Sequence, residues 1–145
     1  MDPMASGLRY RVRRAARQIS DQHRHMNELR RRCDEALSGG NDGEVREALL
    51  RYCGALDAHF ALEEDVFFPA LHGLRPEHTE ELDTLSREHQ VFAARLTALR
   101  RYAETGGDGD GAVTSFHSFV EEMGQHEARE ERLVRKIADL LGDPD

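Results

Sequence analysis

Tryptophan is absent from the 145-residue chain, which also has only two cysteines and four prolines, and its aromatic content is 6%. Sandwiches and barrels draw on aromatic residues and proline-rich turns. Their shortage, together with a charged fraction of 33%, points to helices with solvated outer faces. Cys33 and Cys53 have no C-x-x-C spacing, so neither a zinc ribbon nor a dithiol redox motif is present and free thiols are expected. No apolar run approaches the ~18 residues of a membrane span, and MDPMASGLRYRVRR lacks the apolar core of a signal peptide. The expectation is a cytoplasmic protein with no membrane partner. A net charge of -8 excludes a general nucleic-acid binder, which needs a cationic face for phosphates.

What the chain does have is helical periodicity between glycine-rich joints. SGGNDG (38–43), GLRP (73–76) and TGGDGDG (105–111) divide it into four long segments. Helices are predicted over about 8–37, 43–71, 76–104 and 112–141, within a single domain covering 1–145. The first carries Ile19, His23, Met26, Leu29 and Cys33 at helical spacing, and Ser38-Gly39 reads as its stop. The second carries Val45, Leu49, Tyr52, Leu56, His59, Phe60, Glu63 and Phe67, with Pro69 marking the end of its regular hydrogen bonding. Pro76 is a favourable first residue for the third, whose inner face is Leu82, Leu85, His89, Phe92, Leu96 and Leu99. The fourth turns Phe116, Phe119, Met123, His126, Glu130, Val134 and Ile137 inward, and GDPD reads as a frayed tail. Four amphipathic helices on short loops pack most simply as an all-α, antiparallel up-down-up-down four-helix bundle.

Each predicted helix carries one histidine on its apolar stripe: His23, His59, His89 and His126. In an antiparallel hairpin, residues equally far from the loop centre lie at one height. With loop centres near Asn41, residue 74 and Asp108, the distances are 18 and 18, then 15 and 15, then 19 and 18 residues. An error of two residues in a loop centre moves a side chain only ~3 Å. All four imidazoles therefore fall in one layer.

Glu63 and Glu130 follow His59 and His126 by four residues, on helices that run the same way in such a bundle. Both carboxylates are displaced to one side of the histidine layer, by ~6 Å. A buried carboxylate without a partner costs several kcal/mol, and little lysine or arginine faces inward to pair with these two. A single inward histidine is ordinarily a hydrogen-bonded core residue, but four at one level beside two acids read as ligands for two metal ions. Residue type alone leaves iron, manganese and zinc open.

These residues form a pattern. His23 lies in DQHRHMNEL, His59 and Glu63 in HFALEEDVFFP, His89 in REHQVF, and His126 and Glu130 in HEAREERL. The ordered set resembles the hemerythrin-like (HHE cation-binding) family over essentially the whole chain. The resemblance implies two iron ions in a non-haem, oxo- or hydroxo-bridged site, with His23, His59, Glu63, His89, His126 and Glu130 as metal ligands. It implies a small diatomic or peroxide ligand, O2, NO or peroxide, bound in sensing, storage or detoxification. A di-iron enzyme with catalase- or oxidase-like activity is the alternative, and whether the chain is an enzyme stays open. Oxygen-carrying members have H-x-x-x-H in the third helix; here the position four before His89 is Leu85. That end of the site, with Ile19 at the same height, is expected to be apolar and to leave a coordination position free.

Neighbouring residues read as peripheral. Glu64 and Glu131 are expected to face solvent, with Glu131 the substitute for Glu130; His25 is the substitute for His23. Glu122 reads either as an acceptor for an imidazole N–H or as an edge residue, with the latter favoured. His72, His78 and His117 lie off the inner face, and the arginines of RYRVRRAARQ read as a solvated helix face. No histidine has a glutamate three before it, which sets aside a ferritin-like carboxylate bundle, and the missing H-E-x-x-H sets aside a metalloprotease.

Overall fold

The computed structural model describes residues 3–106 and 109–140, and among these only helical elements occur, with no strand. The third loop centre at Asp108, the last predicted residue of the fourth helix, Leu141, and the GDPD tail lie outside the described residues. The elements are α1 (Pro3–Gly39), α2 (Asp42–Leu62), a π-helical turn (Glu63–Phe67), α3 (Phe68–Leu74), a 3-10 turn (Pro76–His78), α4 (Thr79–Thr105) and α5 (Gly109–Leu140). Since α2, the π turn and α3 follow without a break, the described residues make four helical rods.

Tertiary packing lengthens α1 beyond its expected start at Leu8. The Leu8 side chain lies over Gly73, where an added Cβ would sit 3.1 Å from Leu8 Cδ1, so the start of the helix is held against the end of α3. The joint between α1 and α2 is tight: the Gly40 amide donates to Ala36 O at 2.8 Å, and a Cβ at Gly40 would lie 2.9 Å from that same oxygen. Asn41 then caps α2. Its Oδ1 accepts from the Glu44 amide at 2.9 Å, while its Nδ2 donates to Glu44 Oε1 at 2.9 Å, a reciprocal cap.

The second rod passes Pro69 and ends at Leu74, beyond the expected residue 71. Proline has no N–H for the carbonyl four residues back, and the chain accommodates this by widening the preceding turn. The Phe68 amide reaches back five residues to Glu63 O, and Leu62, Glu63, Phe67 and Phe68 all keep right-handed helical dihedrals. The rod therefore continues with a changed register. α4 ends at Gly106, whose φ of 79° is strained for any residue with a side chain.

Two apolar clusters fill the interior. One contains Met26, Leu29, Leu49, Leu56, Leu96, Phe116 and Phe119 with both cysteines; the other contains Val12, Ile19, Phe67, Leu71, Leu82, Leu85 and Ile137. In α1, α4 and α5 the predicted ligands lie in sequence between the stretches that supply the two clusters. Cys33 and Cys53 are buried free thiols, held up to about 12 and about 11 chiefly by burial, so they are inert core residues.

Candidate metal centre

His59, Glu63, His89, His126 and Glu130 are buried polar residues, and His23 is half-buried beside them. Their donor atoms converge. Nε2 of His23 lies 3.3 Å from Nε2 of His59, and Nε2 of His89 lies 3.1 Å from Nε2 of His126. Glu63 Oε1 stands between two of these rings, 3.2 Å from His59 Nε2 and 3.1 Å from His89 Nε2, and Glu130 Oε2 is 3.6 Å from His126 Nε2. Two groups result, His23–His59–Glu130 and Glu63–His89–His126–Glu130, with the donors of each within 4.8 Å of one another. All six predicted residues are brought together, and Glu130 belongs to both groups.

The outward nitrogens decide what the inward ones can do. His89 Nδ1 donates to Glu64 Oε1 at 2.7 Å, His126 Nδ1 donates to Glu88 Oε1 at 3.1 Å, and His59 Nδ1 donates to Gln22 Oε1 at 2.9 Å. Carboxylates accept only, so the Nδ1 nitrogens of His89 and His126 carry the proton. Burial holds His59 down at about 3 and His126 at about 4, and it lowers His89 and His23 as well, against the pull of Glu64 and Glu131. Neutral rings with protonated Nδ1 leave Nε2 as a bare lone pair. Lone pairs of His89 and His126 thus face each other at 3.1 Å with no proton between them.

The acids are equally unsatisfied. Both oxygens of Glu63 and Oε2 of Glu130 are buried without a hydrogen-bond partner. Burial pushes Glu63 up to about 7 and Glu130 well above the ordinary value, with the adjoining carboxyl opposing the shift on Glu63 and adding to it on Glu130. A cation relieves both strains at once. Ligand atoms in adjacent positions on an ion with ~2.1 Å bonds stand ~3 Å apart, which the observed spacings match. The residues present therefore fit a metal.

Rigid neighbours hold the rings. Phe60 and Phe68 both stack on His89, at 4.4 and 5.5 Å between centroids, and Phe92 meets His126 edge-on at 5.2 Å. The π turn adds a further element: Glu63 reaches one nitrogen of His89 and Glu64 the other. Glu64 was expected to face solvent; instead it accepts from His89 and from the Ser86 hydroxyl at 3.0 Å, because the widened turn swings it toward α4. Gln22 and Glu88 were not anticipated as acceptors, and only their positions beside His23 and His89 hinted at it. Arg129 pairs with Glu88. Glu122 pairs with Arg95 at the edge, His25 is exposed, and Glu131 is exposed, as expected, and lies outside both donor groups. Glu127, half-buried beside His126, is pushed up to about 7 by burial and also lies outside both groups.

Leu85 and Ile19 are buried and apolar. No helix among the described residues is long and apolar enough to cross a membrane. Comparison with curated proteins and with solved structures finds no match. The family description of the hemerythrin HHE cation binding domain matches residues 14–138, a span that takes in every donor of the cluster. The chain belongs to the hemerythrin HHE cation-binding domain family.

Proposed function

We propose that the chain holds two iron ions in this cluster and binds a small molecule there, dioxygen, nitric oxide or peroxide, in sensing, storage or detoxification. The observation that carries this reading is the pair of bare Nε2 atoms on His89 and His126, facing each other at 3.1 Å while acceptors occupy their Nδ1 protons. One ion would lie among His23, His59 and Glu130, the other among Glu63, His89, His126 and Glu130. Glu130 is common to both, and Glu63 Oε1 lies between rings of the two groups. Imidazole and carboxylate donors suit iron, manganese or zinc, and iron is what the resemblance to hemerythrin implies.

When bound, iron supplies an electrophilic, redox-active centre for a small ligand. The chain's own residues do the rest. Gln22, Glu64 and Glu88 fix the tautomer and the ring orientation, the phenylalanine rings exclude water, and Leu85 and Ile19 offer no donor where a further ligand would otherwise stand. That absence leaves room for an exogenous molecule. The reading treats residues 1–145 as one cytoplasmic domain. It takes the four rods as an antiparallel up-down-up-down bundle. Support comes from paired contacts that run in opposite order: Gln22 meets His59 while Cys33 meets Ala48, Glu64 meets Ser86 while Cys53 meets Leu96, and Glu88 meets Arg129 while Arg95 meets Glu122.

The test is iron per chain with an optical spectrum, recorded on protein purified without chelators and then offered ferrous iron in air. The expected result is two irons per chain and visible bands that change on adding azide or NO. Failure to retain iron stoichiometrically would sink the reading. Hydrogen peroxide turnover far above that of free iron would select the catalytic alternative over a binding role.

A further inference from the structure

A cavity of about 380 Å³ opens between α1 and α5 and has His23 and Glu130 on its floor. Ile19, Phe67 and Val134 form its walls, and Ser20, Glu131 and Arg135 stand at its mouth. The cleft therefore reaches from the surface of the α1–α5 seam down to two of the clustered donors. His23 is accordingly the one imidazole of the four that is not fully buried. A second cavity, of about 250 Å³, lies between α4 and α5 over Leu85 and Leu133, and no member of the donor cluster lines it.

We propose that small uncharged ligands reach the centre through the α1–α5 cleft, with Ile19, Phe67 and Val134 as its apolar throat and Ser20, Glu131 and Arg135 as its mouth. The proposal rests on the function inferred above and adds a route to it. Apolar walls cost a charged molecule its hydration and offer nothing in return, so O2, NO and hydrogen peroxide pass more readily than azide. Arg135 and Glu131 stand 3.9 Å apart with 77% and 55% of their side chains exposed, which makes the mouth a weak, movable ion pair. Glu131 is thereby given a role at the mouth of the cleft.

The test introduces Ser20→Cys at the mouth and, as the control, Thr84→Cys at the second cavity. Each is labelled with a bulky thiol reagent; the native Cys33 and Cys53 have no exposed surface and stay unmodified. Iron content and the resting spectrum report on the proposed function. The rate of NO association reports on the route, and is expected to fall about tenfold in labelled S20C and to stay unchanged in labelled T84C. A metal-free readout separates the two questions: dissolved O2, used as a paramagnetic NMR probe, should relax the Ile19 and Val134 methyls more strongly than the Leu85 methyls. Labelling S20C should abolish that difference. If iron is not held, the function falls while the methyl relaxation still decides the route. Unchanged NO association and unchanged methyl relaxation in labelled S20C would overturn the route, as would a slowing in labelled T84C.

Discussion

An imidazole serves a cation only with its bare nitrogen turned inward, and the turning is done by residues that never touch the cation. Glu64 and Glu88 accept the Nδ1 protons of His89 and His126, and the two stacked phenylalanines stop His89 from rotating. Glu64→Ala and Glu88→Ala are each expected to weaken metal binding by about 10- to 100-fold with the fold intact, measured by competition against a chromophoric chelator. Glu122→Ala, at the Arg95 edge, should leave affinity unchanged. At this scale the six converging residues were legible in the sequence, because each sits on an apolar stripe where a polar group needs a reason. Glu64 was not, since its orientation follows from a register change that no side-chain pattern records.

At the scale of the element, the turns and caps carry sequence signatures and the π turn does not. Asn41 with Glu44 is a reciprocal cap that stands in the sequence as N-x-x-E, and Gly106 ends α4 where φ is positive. Asn41→Ala should cost about 1 kcal/mol through the lost cap, and Gly106→Ala roughly 1–2 kcal/mol through backbone strain, both read from thermal unfolding of the metal-free chain. Pro69 announced a break in hydrogen bonding. Whether a proline ends a helix or widens the turn before it depends on what holds the far side, and here Phe68, Leu71 and Leu74 are buried in the second apolar cluster. That burial keeps α3 in line with α2, and the extra residue is absorbed at Glu63–Phe67, where it aims two acids at one histidine.

For the whole molecule, a polar layer between two apolar clusters makes metal and proton binding part of stability. In the metal-free chain His59 at about 3 and His126 at about 4 lie below the ordinary 6.5, so the unfolded chain takes up protons first and stability falls as pH drops below about 6.5. Glu63 at about 7 lies above the ordinary 4.5, and Glu130 is raised further. The folded chain keeps protons there that the unfolded chain releases, so these acids make stability fall as pH rises from 4.5 through about 7. The two effects oppose each other between about 4.5 and 6.5, and each acts alone on its own side of that window. Metal-free protein should therefore be most stable at mildly acid pH, and Glu63→Gln should lessen the alkaline decline by on the order of 3 kcal/mol, as seen in melts recorded across pH. Each bound ion, at about 100 times its dissociation constant, should add about 2.7 kcal/mol, which calorimetry would register as a rise of roughly 10 °C per ion that a chelator reverses.

Sequence alone determined the helical class and picked out the six residues that converge, because apolar periodicity is a local property of a chain. Only the tertiary structure decided which nitrogen of each ring faces inward, that the π turn recruits Glu64, and that the α1–α5 seam stays open over His23 and Glu130. Those outcomes depend on distances between helices far apart in sequence. They are fixed by how the two apolar clusters pack against each other's ends, a balance that no single segment contains.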